Sequence, residues 1–235
     1  MKFLLLLVSI FFTTISTSLC QKNNELYDFE KWQAESFENI RLLPRYGYAY
    51  KAPGQLAADA EFIKSIKSLK DFTDMRSASN HQVELGFNYL QRGDLRTAMY
   101  RFNQAYLLDS TNTDDYWGYG AVYMQLGRPD LAEHQYKTGL SKDSFNHHLW
   151  TDLATVYSTR AQENKDTVAL KTAIQYLQKS YAIEPGDVNT VYILSVTHYL
   201  IGNCKEAKRY FEECVKMGGH PITPAFRVAL EDDCR

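Results

Sequence analysis

His147 and His148 stand near Asp143 and Asp152, and two imidazoles with two carboxylates are residue types that hold a divalent transition cation. A metal requires its ligands to converge. Consecutive residues on a helix project about 100° apart, so the four are read as helix packing and capping, and no metal is expected. Serine, histidine and carboxylate residues occur throughout the chain, but none lies in a nucleophile elbow or another catalytic spacing. The glycines fall at packing or turn positions and form no phosphate-cradling loop. The expectation is a chain that is not an enzyme and carries no cofactor. Cys204, Cys214 and Cys234 hold the remaining chemistry, a disulfide if the surrounding elements bring two of them together.

Those elements repeat. Leu85, Gly86, Tyr89, Gly93, Ala98 and Phe102 are answered by Tyr116, Tyr119, Gly120, Tyr123, Gly127, Ala132 and Tyr136, a period of about 34 residues. Leu85 and Tyr89 share a helical face, Gly86 and Ala98 let two helices approach, and Phe102 fills the space between them. Gly93 before Asp94 ends the first helix of the copy, because glycine takes the left-handed cap conformation without a steric cost. The same stop recurs at Gly127, and at Gly202 ahead of Ala207 and Phe211. A third copy keeps Trp150, Leu153, Ala154 and Tyr157, but Ala173 and Leu177 arrive late, so residues 160–167 predict a lengthened helix pair or a projecting turn. Gly218, Gly219 and Pro221 stop the fourth copy, and Thr223 with Pro224 opens a helix bearing Phe226, Val228, Ala229 and Leu230 that would cap it. Phe62, Ile63, Ile66 and Leu69 have the spacing of a helix that could cap the other end.

These residues resemble the tetratricopeptide repeat family, and the layout resembles its secreted or periplasmic bacterial members. The expected fold is all-α, a helix-turn-helix solenoid of about four repeats with a C-terminal capping helix. Residues 1–20 read as a signal peptide, 21–78 as an N-terminal segment, 79–218 as the repeats and 219–235 as the cap. The resemblance implies a concave groove, lined mainly by first helices, that receives a segment of a protein or peptide partner. Mapped onto this chain, the groove comprises Asn80, Val83 and Phe87, then Asp114, Trp117, Ala121 and Met124. It continues through His148, Thr151, Asp152 and Thr155 to Asn189, Tyr192, Val196 and Tyr199. Chaperone-binding members clamp a terminal carboxylate with Lys and Asn, yet the matching places hold Val83, Phe87, Trp117 and Ala121, so no such clamp is expected. Residues 37–56 are aromatic-rich and non-periodic; they could pack across the solenoid, fold into the groove or meet a partner. A second reading of the function is a carrier or sensor of a small apolar or peptidic ligand held between this segment and the groove.

Lys2, the apolar run 3–12 and the Ser/Thr-rich stretch before Cys20 have the form of a secretory signal. Ser18 and Cys20 suit cleavage before Gln21; lipidation at Cys20 is the rival outcome, and the only expected route to a membrane. The formal net charge is −2 and Arg92, Arg96, Arg101 and Arg128 are scattered among acidic neighbours, so no nucleic-acid surface is expected. An oxidising compartment would allow disulfides. If the helix after Cys204 and the capping helix run antiparallel, Cys204 and Cys234 meet at one end of the hairpin, while Cys214 sits mid-helix as a buried hydrophobe.

Overall fold

The computed structural model describes residues 28–164 and 166–235; the expected signal sequence and Cys20 lie outside them. The described residues are helical, with no strand among them. After α1 (Phe29–Glu38) come two short 3-10 turns (Ile40–Leu42 and Pro44–Tyr48) and α2 (Pro53–Ser68). Four helix pairs follow: α3 (Met75–Gln91) with α4 (Leu95–Leu108), α5 (Asp114–Gln125) with α6 (Pro129–Lys142), α7 (His147–Asn164) with α8 (Thr167–Ile183), and α9 (Val188–Leu200) with α10 (Cys204–Lys216). A last helix, α11 (Pro224–Asp233), closes the chain.

Local chemistry explains the boundaries. Gly93 and Gly202 take φ of +76° at the ends of α3 and α9, the conformation that a side chain would strain. Asp94 and Asn203 then cap α4 and α10 by accepting from the backbone N–H of Thr97 and Glu206. Between helices, close approach does the rest. Phe102 of α4 wedges against Gly86 and Gly118, where an added Cβ would stand 2.4 and 2.2 Å from its ring. The late second helix of the third copy resolves as a lengthened pair, α7 and α8 having 18 and 17 residues. Ala161, Ala169 and Leu170 give that extension a small apolar cluster of its own, with Ile201 packed on it.

Each first helix packs on the next, α3 on α5, α5 on α7 and α7 on α9, while the second helices pack mainly on the first helices flanking them. Tighter spacing of the first helices makes theirs the concave face. Residues 28–56 run over the opposite side, where both 3-10 turns lie on α4. Asn103 of α4 donates to the carbonyls of Arg41 and Leu43 at 2.9 and 3.0 Å. Arg45 is buried in a bidentate pair with Asp115, its Nε 2.7 Å from Oδ2, and its guanidinium carbon lies 4.1 and 4.4 Å from the ring centres of Tyr116 and Tyr106. Burial drives the Asp115 carboxyl up, to about 6, against the pull of Arg45. Arg45, Tyr46 and Tyr48 all have positive φ (49°, 60° and 53°), a left-handed run costing roughly 1–2 kcal/mol per residue that the buried pair and ring contacts offset. Of the three placements open to this segment, packing across the solenoid is the one found, on the convex side. Among the described residues the segment packs on α4 away from the groove, and a cavity of about 370 Å³ lies between residues 40–62 and α4. The proposed ligand space between groove and segment is thereby corrected.

At the far end α11 packs on the fourth pair. Phe226 sits edge-on to Tyr192 and Tyr199 at 5.7 Å from each. The Sγ atoms of Cys204 and Cys234 lie within bonding distance, with Cα atoms 5.4 Å apart, and Cys214 is buried and unpaired. Ile66 of α2 is buried with Ala78 and Leu108 against the first pair; Leu69, grouped with the apolar face of α2 from its spacing, lies beyond the helix and is exposed.

Candidate functional site

The concave face carries a ladder of rings. Phe87 of α3 lies 4.0 Å from Trp117 of α5, Trp117 stacks at 3° and 4.0 Å on His148 of α7, and His148 meets His147 at 3.9 Å. One ring system therefore runs across three successive first helices, giving a rigid, partly exposed apolar track with few rotors to freeze on binding. Beneath it, Asp152 accepts a hydrogen bond from Trp117 Nε1 at 2.8 Å and a longer one from Tyr136 Oη at 3.4 Å. Burial lifts the Asp152 carboxyl to about 6 despite these two donors, and the charge of Asp187 adds to the lift. His148 is pushed down, first by burial and then by His147 beside it.

The residues expected to line the groove divide into three groups. Phe87, Asp114, Trp117, Ala121, Met124, His148, Asp152 and Thr155 are partly exposed, and Asn80 and Asn189 are exposed. Val83 and Thr151 are each only 5% exposed, so both are corrected to interior positions. Val83 belongs to the main core, and Thr151 joins Ser180 and Thr190 in a buried hydroxyl triad with contacts of 2.6 to 3.1 Å. Tyr192, Val196 and Tyr199, also partly exposed, pack against the apolar cluster of α11, and Tyr199 Oη donates to Asp233, so the cap borders the fourth repeat's share of the groove. Helix periodicity gives a residue's facing direction but not the neighbour that closes over it.

Sequence reasoning missed a polar clasp at every repeat joint. Asn112 Nδ2 reaches back to Ser79 Oγ and Asn80 Oδ1, both at 2.9 Å. One repeat later Asn146 Nδ2 reaches back to Thr113 Oγ1 and Asp114 Oδ1 at 3.0 and 2.7 Å. At the third joint the same place is taken by Asp187, facing His147 and His148. The adjacent histidines do converge, which corrects the expectation drawn from helix geometry. The angle of about 100° separates Cα–Cβ directions, whereas the rings extend beyond Cβ and His147 opens its helix with no preceding turn to restrict it. Their partner is Asp187 rather than Asp143 or Asp152. The signal was available: Ser79–Asn80, Thr113–Asp114 and His147–His148 stand in register one repeat apart, while the lengthened third pair displaces Asp187 from the register of Asn112 and Asn146.

No family model matches the chain. It is similar to the Type IV pilus assembly protein PilF of Pseudomonas aeruginosa, with 23% identity over 155 residues, covering 65% of this chain and 58% of that protein. The match thus spans little more than half of that relative's length. A solved structure of P. aeruginosa pilF superposes with a TM-score of 0.50 over 61% of this chain and 62% of the other. A thermophilic TPR protein of Thermus thermophilus gives a TM-score of 0.55 at 16% identity, over 66% and 80% of the two chains. No helix among the described residues is long and apolar enough to cross a membrane. At these identities the likeness establishes the fold: the chain is a tetratricopeptide-repeat solenoid.

Proposed function

We propose that this protein is an exported, non-catalytic adaptor that holds a segment of a partner protein on the concave face of its first three repeats. The observation that carries the reading is the ring ladder Phe87, Trp117, His148, His147, which stays partly exposed along successive first helices and is fixed from below by Asp152. Rigid aromatic surface of this kind supplies binding contact at low entropic cost. Likeness to a pilus assembly protein supports assembly work as the setting, and the signal-like residues 1–20 support export. Cys204 and Cys234, within bonding distance, form a disulfide in such a compartment.

The test is photocrosslinking in cells with probes at Trp117 and Met124, and a control probe at Arg101 on α4. A discrete protein adduct from both groove probes, absent at Arg101, is expected. Adducts confined to this chain itself, or the same adducts from all three positions, would overturn the groove reading. Intact-mass measurement tests export separately: a chain beginning at Gln21, or one lipidated at Cys20, supports it, and a full-length chain with all thiols free removes it.

A further inference from the structure

The three repeat joints use one architecture with two chemistries. At the first two, an asparagine amide reaches back and donates to two oxygens on the preceding first helix, closing the clasp with direct hydrogen bonds of 2.7 to 3.0 Å. At the third, the reaching residue is the carboxylate Asp187 and its two targets are the imidazoles of His147 and His148. The donor has been replaced by an acceptor, and the acceptors by nitrogen bases. A buried hydroxyl triad links α7 to α9 here, but the clasp position itself is not closed by a hydrogen bond: His147 Nδ1 is shielded from solvent without a hydrogen-bond partner among the described residues, and it stands 3.6 Å from Asp187 Oδ2.

We propose that the joint between the third and fourth repeats binds a divalent transition-metal cation, zinc in the first instance, through His147, His148 and Asp187. One ligand atom from each residue lies within 4.8 Å of the others. Zinc bonds to nitrogen and oxygen of about 2.0–2.2 Å place neighbouring tetrahedral ligands roughly 3.3 Å apart, so the 3.6 Å pair needs a movement of only a few tenths of an ångström. Asp187 is already oriented, its Oδ1 accepting from Asn189 N–H at 3.0 Å and its Oδ2 from Thr190 Oγ1 at 2.6 Å. Hydrogen bonds of that kind fix a ligating carboxylate. His148 is held by its stack on Trp117. Three protein ligands leave a fourth position for water, and the cation would join α7 to the turn before α9 as the asparagines join the earlier repeats.

The experiment uses the full chain, purified free of metal, titrated with zinc by calorimetry and with cobalt by visible absorption. The comparison is a clasp-swapped variant, His147→Thr with His148→Asp and Asp187→Asn, which writes the second joint's own residues into the third and so preserves a means of closing it. Expected are one equivalent of zinc, a cobalt d–d band and a raised Tm on zinc addition in the parent. The variant should fold with the parent's circular dichroism and lose at least tenfold in affinity along with the band. No uptake by the parent would overturn the proposal. So would uptake unchanged in the variant, which would assign the metal to the exposed His81, His134 or His220. A Tm that responds to pH but not to zinc would also overturn it, leaving an ordinary imidazole–carboxylate contact.

Discussion

At the scale of single residues, Asp152 decides how firmly the ring ladder is held. Its carboxyl titrates near 6, above the usual value of 3.8, because burial outweighs the hydrogen bonds from Trp117 and Tyr136. The folded state therefore holds a proton on Asp152 across a window, from about 4 to 6, in which the unfolded chain has already released it. Stability from this group is full below the unfolded value and is lost as pH rises through the folded one. Asp152→Asn keeps the shape and removes the titration. Chemical denaturation at pH 4 and pH 7.5 should show the parent losing on the order of 2 kcal/mol more than the variant between the two conditions. An equal pH response in both proteins would mean that Asp152 titrates at its ordinary value.

Among the elements, α11 is the one whose attachment can be tested separately. Phe226 and Leu230 pack on the open end of the fourth repeat, and a disulfide between Cys204 and Cys234, 30 residues apart and within bonding distance, would close the loop that carries them. A cross-link of that span contributes roughly 3–4 kcal/mol. Reduction, or Cys234→Ser, should lower the denaturation midpoint accordingly and admit protease to residues 217–235 before the rest of the chain; unchanged proteolysis after complete reduction would show that apolar packing alone holds the cap. This hairpin and the glycine stops at Gly93 and Gly202 were legible in the sequence because each depends on neighbours a few residues away or on one antiparallel pairing. The path of residues 28–56 was not, because it is set by Arg45 meeting Asp115 across 70 positions and by a left-handed backbone that no periodicity announces. The groove was legible as a face but not as a surface: spacing put Tyr192 and Tyr199 on it without revealing that Phe226 packs edge-on against both.

Across the whole molecule the core is divided. One cluster runs from Trp32 and Leu42 through the first two repeats to Leu149, Leu153 and Val156 of α7. A second begins on α7 at Ala154 and takes in Leu177, Val191, Leu194, Tyr210 and Cys214. Helix α7 is thus a wall shared by two bodies, with Tyr157 and Tyr176 packed against both. In a solenoid each unit is stabilised only by its own packing and by its neighbours, so the smaller body at the end of the chain should open first. Cys214 reports on that opening directly, being a buried thiol with no disulfide partner and with its pKa raised by burial. Hydrogen exchange followed by mass spectrometry should give α9 and α10 a lower opening free energy than α4 to α6, and thiol labelling of Cys214 should proceed at that same lower value. Removing the Cys204–Cys234 link should widen the gap without changing exchange in α4. If all helices exchange at one common free energy and Cys214 labels only at global unfolding, the division at α7 has no thermodynamic meaning and the four repeats fold as a single unit.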